Sequence, residues 1–325
     1  MKKIPLRISG RYLLIFAVLL LTVPVVIFPD RYVSSVWNGF KLFALSVLPA
    51  LFPFFFFTKI LSGLNFGYDL GLVLKKPLGK IFRAPASSGY ILAMSMLCGY
   101  PVGAKLVADF CEKGYISARE AKAVSAFTST SGPLFIVGTV GVGMLDNKTA
   151  GFIILISHYL SALLNGIIFR PKETSSVTLP ARPLTDYNSL LSEGIYSALS
   201  SVAVVGGYVA IFNLVLDLFA DIGIISLLSA PLQWLGLGKT AAQGTASSLV
   251  EITKGCLLLS ESGYPLSITA PLCAFGITFG GLSVTLQSLT FLGKSKISPL
   301  YYLLTKSVQG VTAFIFCKAL CLLLL

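Results

Sequence analysis

The chain has 325 residues, 55% hydrophobic and only 12% charged, with a net charge of +12 and a mean hydropathy of +0.85. So few charges exclude a soluble globular domain of this length, because too little polar surface remains to face water. The basic residues stand in short clusters between apolar runs rather than along one surface, which argues against a nucleic-acid interface and for membrane topology signals.

In chain order, apolar runs near 12–29, 35–61, 122–145, 149–169, 190–219, 265–291 and 299–324 approach the ~20 residues of a spanning helix. The first follows the basic residues Lys2, Lys3, Arg7 and Arg11 and has no small-x-small site after it. It is expected to be an uncleaved transmembrane helix within 1–35. Two more apolar segments, 86–111 and 240–262, are interrupted in the middle. The first breaks at Cys98-Gly99-Tyr100-Pro101 and the second at Thr253-Lys254-Gly255. Each half is too short to cross a bilayer alone, so both segments are expected to be re-entrant hairpins.

Charge orients the chain. Basic clusters at 2–11, 75–83, 113–122, 170–182 and 294–296 alternate with loops that hold only Arg31, Lys148 and Lys239. The rich loops are expected in the cytoplasm, with the C-terminus outside. This works only if 86–111 enters and leaves on one side.

The order of elements occurs twice: a span, an interfacial stretch (70–82, then 224–237), a hairpin and two spans. The first repeat is expected at 36–170 and the second at 188–325, joined by a cytoplasmic linker at 171–187. Three crossings per repeat would invert the second relative to the first, a recurring transporter design. The expected fold is an all-α polytopic membrane protein of two inverted repeats, each with a re-entrant hairpin.

The residues with chemistry cluster at the interruptions. Lys105 lies in the first turn after Pro101, where lysine opposes the helix dipole, so helix stability alone would not select it. It reads as a solute contact or as a lysine snorkelling to water. Tyr100 stands beside it. Glu251 and Lys254 are spaced to pair locally, or to meet a proton, cation or solute, with Thr253 adding a hydroxyl. The span after each hairpin also carries helix breakers: Thr128-Ser129-Thr130-Ser131-Gly132-Pro133 and Phe279-Gly280-Gly281-Leu282-Ser283-Val284-Thr285-Leu286-Gln287. Unwound backbone at membrane depth persists only where protein or a wet cavity satisfies it. Ser129, Ser131, Ser283 and Gln287 are therefore substrate-binding candidates, against the alternative of close packing through small residues. Lys41, Lys59, Lys306 and Lys318 are expected to snorkel, and His158 to be a satisfied polar contact.

The six cysteines form no CxxC pair, His158 is the single histidine, and no Walker A loop occurs. No metal or cofactor is expected, and ATP does not obviously drive the protein. No spacing singles out a nucleophile and its base, so enzymatic activity is not expected.

Taken together, CGYPVGAK at 98–105, TSTSGP at 128–133, EITKG at 251–255 and FGGLSVTLQ at 279–287 resemble the YlbJ-type sporulation integral membrane proteins, also called stage V sporulation protein SpoVV, of the nucleoside-recognition (Gate) domain family. The resemblance covers nearly the whole chain in length and order. It implies a build similar to the concentrative nucleoside transporters. It also implies a place in the outer forespore membrane and movement of dipicolinic acid from mother cell to forespore. Dipicolinate is a small dianion with a pyridine ring. On this reading Lys105 and Lys254 counter its two carboxylates and Tyr100 stacks on its ring. Other expectations stay open: a nucleoside or other small metabolite as solute, a non-transport factor in spore-envelope assembly, and self-association.

Overall fold

The computed structural model describes residues 10–172 and 188–325. The basic N-terminus and nearly all of the predicted linker lie outside the described residues. Every described element is helical, and no strand occurs among them.

α1 (Gly10–Ile27) ends at Phe28, and α2 (Pro29–Leu42) begins at once with Pro29 at its first position, where a missing N–H costs nothing. The two are bent by 114°. The second predicted span therefore starts at residue 29 rather than after an outer loop. A π-helical segment (Phe43–Val47) joins α2 to α3 (Leu48–Gly63), and α4 (Phe66–Phe82) follows.

The first predicted hairpin is α5 (Ser87–Cys98) and α6 (Val102–Glu112), which turn at Gly99-Tyr100-Pro101. Tyr90 on α5 stacks on Phe110 of α6 with centroids 5.6 Å apart, so the two ends of the hairpin lie together. Next comes a split element. α7 (Ala118–Ser125) starts at a Ser117–Glu120 capping box, the chain unwinds over 126–133, and a π-helical segment (Leu134–Met144) continues. π-helix is rare and concentrates at functional sites. α8 (Lys148–Ile168) is capped by Asn147.

The same order returns in the second half: α9 (Leu190–Asp221), α10 (Ile224–Trp234), a second hairpin of α11 (Lys239–Ser248) and α12 (Ile252–Ser260), a split pair α13 (Leu266–Phe279) and α14 (Gly281–Leu292), and α15 (Pro299–Leu324). The second hairpin turns two to four residues before the predicted Thr253-Lys254-Gly255, because Glu251 caps α12 and draws those residues into its first turn. α13 and α14 part at Gly280 and Gly281, with φ of +90° and +60°, values that glycine adopts without a Cβ penalty.

By length and composition, Lys148–Ile168, Leu190–Asp221, Leu266–Ser295 and Pro299–Leu324 can each cross a bilayer, and the bent α1–α2 pair is a fifth candidate. The predicted spans at 35–61 and 122–145 are not single spanning helices: the first divides into α2, a π-helical segment and α3, the second into α7, an unwound stretch and the π-helical segment Leu134–Met144. Large apolar side chains cover the outside: Trp234 is 88% exposed, Leu323 78% and Leu300 76%. Such a surface is stable in lipid and not in water. Serine, threonine, asparagine, histidine and lysine side chains are instead buried within.

Packing crosses between the halves. α2 and α3 lie along α9, and α8 lies along α15. α6 of the first hairpin packs on α14, while α12 of the second packs on the π-helical segment Leu134–Met144. Among the described residues, contacts gather members of the 75–83, 113–122, 170–172 and 294–296 clusters at one end of the molecule. Arg83 donates to the Lys172 carbonyl at 3.2 Å, Lys294 pairs with Glu112 at 3.6 Å, and Lys122 lies 4.3 Å from the centroid of the Tyr301 ring. Arg31, from a loop expected outside, instead forks onto Asp221.

Candidate functional site: hairpin tips against split helices

Each hairpin props open the split helix of its own half. Ser95, in the last turns of α5, donates to the Thr128 carbonyl and sits 2.8 Å from the Thr130 hydroxyl, while the Thr130 N–H donates back to it at 3.2 Å. In the second half the hairpin tip serves directly. The carbonyls of Leu249 and Val250 accept from the N–H groups of Leu282 at 2.8 Å and Ser283 at 3.1 Å. Those are first-turn donors of α14 that no helix carbonyl can reach.

The unwound stretch 126–133 is satisfied from α8 and α15. Asn165 donates through Nδ2 to the carbonyls of Ala126 and Thr305, both at 2.9 Å. The Ser131 N–H donates to Nε2 of His158 at 2.9 Å. That contact leaves Nδ1 as the protonated nitrogen, which donates to the Thr278 hydroxyl at 2.7 Å. His158 is thus the satisfied polar contact expected of it, and it ties the first split helix to the second. Asn165→Ala strips the donor from two buried carbonyls, each worth ~1–3 kcal/mol. The variant is expected to unfold several degrees below the wild type in detergent; an unchanged midpoint would remove Asn165 from this scaffold.

At the centre is Lys306 of α15, 1% exposed. Its ammonium donates to the Tyr100 hydroxyl at 2.8 Å, the Ser129 carbonyl at 2.9 Å and Gln309 Oε1 at 3.0 Å. Tyr100 in turn directs its proton toward the carbonyls of Ile277 at 3.3 Å and Thr278 at 3.2 Å, in the last turn of α13. The expectation that Lys306 snorkels to water is therefore wrong. A buried ammonium with all three donors matched avoids the cost of an unpaired one. A signal for it was in the sequence: Tyr302, Thr305, Lys306 and Gln309 form a polar stripe at helical spacing on an otherwise apolar span.

Two cavities meet at the tip of the first hairpin. The larger, 480 Å³, lies between α3, α5, α6, α9 and α14. Its walls carry Lys59, Lys105 and Asp109, with hydroxyls from Thr58, Ser62, Ser197, Ser200 and Ser201. It extends from the hairpin tip toward Asp109 and Phe291, within a turn of the Glu112–Lys294 pair at the basic end. The smaller, 70 Å³, is mainly apolar and is bounded by Phe54, Phe135, Tyr208, Ser131, Glu251 and Thr253. Tyr100, Cys98 and Gln287 line both.

The predicted binding residues divide accordingly. Tyr100 and Gln287 face both cavities, Lys105 the larger, and Ser131, Glu251 and Thr253 the smaller. Ser129, Lys254 and Ser283 line neither. The Ser129 hydroxyl is 2.6 Å from that of Tyr302, and the Ser283 hydroxyl accepts from Gln287 at 3.3 Å. Glu251 is buried and caps its own helix, accepting from the Lys254 N–H at 2.7 Å and the Thr253 hydroxyl at 3.0 Å. Of the two readings of Glu251 and Lys254, side-chain pairing is not observed; the carboxylate takes this backbone contact instead. Lys59 was read as snorkelling, yet it shares the larger cavity with Lys105.

No protein-family model matches the chain, and no solved structure matches it. A curated protein does. The chain is similar to the sporulation integral membrane protein YlbJ of Bacillus subtilis (strain 168), at 29% identity over 92% of this chain and 79% of that protein. At 92% of this chain, the likeness covers most of the sequence and not one motif.

Proposed function

We propose that this protein is a YlbJ-type transporter that moves dipicolinate out of the mother-cell cytoplasm across the outer forespore membrane during sporulation. The observation that carries the reading is the 480 Å³ cavity at the first hairpin tip, with two lysines and one carboxylate in its wall. Its size lies in the ~300–1,000 Å³ range of small-ligand sites. Lys59 and Lys105 meet the two carboxylates, with Lys59 in the place first expected of Lys254. The uncapped start of α6, at Pro101 and Val102, adds partial positive charge. Tyr90, Tyr100 and Phe291 line the same cavity and supply the aromatic surface for a planar ring. The similarity to a sporulation membrane protein supplies the biological setting.

In this reading the halves are inverted repeats, and the exchanged packing of α6 on α14 and α12 on the π-helical segment fits a two-fold relation in the membrane plane. The basic end faces the cytoplasm, so the large cavity takes solute from the side where dipicolinate is made. Alternating access follows when the hairpins move against the α8–α15 pair. Single-cysteine labelling in intact cells is expected to find residues 84 and 113 on the cytoplasmic side and 239 and 263 on the other. Either pair split across the membrane would overturn the hairpin topology.

The deciding experiment is flux. Purified protein in vesicles is expected to carry labelled dipicolinate down its gradient, with an excess of nucleosides failing to compete. The same aromatic faces would suit a nucleobase, so effective competition by nucleosides would transfer the assignment to them. Absence of flux for either would leave a role in spore-envelope assembly.

A further inference from the structure

We propose that Lys306 is a tethered cation, seated where this junction of hairpin tip and split helices would otherwise take a free monovalent cation, so that the protein works without a sodium gradient. Only its application to solute movement rests on the reading above.

Three neutral oxygens surround the ammonium: a phenol hydroxyl, a main-chain carbonyl and a side-chain amide oxygen. Among the described residues neither Lys306 nor Glu251 belongs to an ion pair, so no carboxylate explains the charge. The carbonyl is that of Ser129, in the unwound stretch of the first half. Through the Tyr100 hydroxyl the same ammonium is linked to the last-turn carbonyls of α13, at the break of the second half. Unwound carbonyls and half-helix C-termini are the groups that hold coupling cations in carriers with broken helices. Here they converge on a charge that is covalently fixed.

Gln309 supports the assignment. It is fully buried, and its Nε2 has no partner. The amide spends its oxygen on Lys306 and leaves an N–H unmatched, an arrangement that benefits from a cation opposite the oxygen. The Lys306 stem passes close to Gly280, so the ammonium reaches the junction from α15 between the two breaks.

A fixed cation cannot travel. It neutralises the carbonyl cluster in every state of the protein, while a diffusible ion would have to bind and leave in each cycle. Replacing Lys306 by a short side chain vacates the seat but keeps the three oxygens, and a small monovalent cation then has a place to bind.

The test uses the full chain in detergent and in vesicles, with sodium chloride exchanged for choline chloride at constant ionic strength. For the wild type, the unfolding midpoint and dipicolinate flux are expected to be the same in both salts. For Lys306→Ala, the midpoint is expected to rise saturably with sodium and not with choline, and flux to fall in choline and recover in sodium. Lys306→Met fills the stem volume and is expected to lose stability while showing a much smaller sodium response. A wild type that is saturably stabilised by sodium would overturn the proposal. So would a folded Lys306→Ala protein that responds to neither lithium, sodium nor potassium. If Lys306→Ala does not purify, the wild-type salt comparison decides alone. A wild type that moves no dipicolinate ends the proposed function, while the thermal measurements still decide the cation seat.

Discussion

A single methyl group at Gly103 or Gly255 is expected to cost the protein its hairpins. A Cβ at Gly103 would overlap the Thr128 carbonyl and press on the Ser95 hydroxyl. Those are the two groups that join the first hairpin to the unwound stretch. A Cβ at Gly255 would overlap the backbone of Ser248, on the facing half of the second hairpin. In both places the obstacle is main chain or a short side chain, so no rotamer change relieves it. Overpacking of this kind costs ~3 kcal/mol or more where backbone must move. Gly103→Ala and Gly255→Ala are therefore expected to show clearly lowered unfolding midpoints in detergent and little or no flux. Gly207→Ala is the control. Nothing lies within 4 Å of its added Cβ, and a helical Gly→Ala change at an open position gains up to ~1 kcal/mol. If Gly103→Ala and Gly207→Ala unfold at the same temperature, the close approach of α6 to the split helix is wrong.

The second large effect concerns solute. A hydrogen bond to a charged group contributes ~1.5–3 kcal/mol, or roughly ten- to a hundredfold in affinity. Lys105→Ala and Lys59→Ala are each expected to raise the dipicolinate concentration for half-maximal flux by about tenfold or more, and the double variant by more than either alone. Lys254→Ala, whose side chain lines neither cavity, is expected to leave that concentration near the wild-type value. The reverse pattern, with Lys254→Ala impaired and Lys59→Ala normal, would move the solute to the second hairpin. Asp109→Asn separates recognition from folding. It removes the one carboxylate in the cavity wall and is expected to tighten binding of a dianion.

Much of the helical scaffold is legible in the sequence. Glycine and proline within apolar runs marked the hairpin turn at residues 99–101 and the breaks near 128–133 and 280, because their backbone preferences act locally. The site was less readable. Glu251 and Lys254 were spaced to pair, but the carboxylate found a backbone N–H at the start of α12 first, and that choice depends on where the helix begins. Lys59 and Lys306 both looked like span lysines with water within reach. One borders a cavity made by five helices, and the other reaches a carbonyl 177 residues away in the chain.

By itself the sequence determined that this is a helical membrane protein, where its apolar runs are interrupted, and which loops carry the basic charge. Each of those follows from hydrophobicity and backbone chemistry over a few neighbouring residues. Only the tertiary structure decided which interruptions face each other, which lysine stays in a cavity and which is buried among oxygens. Those outcomes depend on contacts between helices far apart in the chain, and their partners are named by packing rather than by spacing.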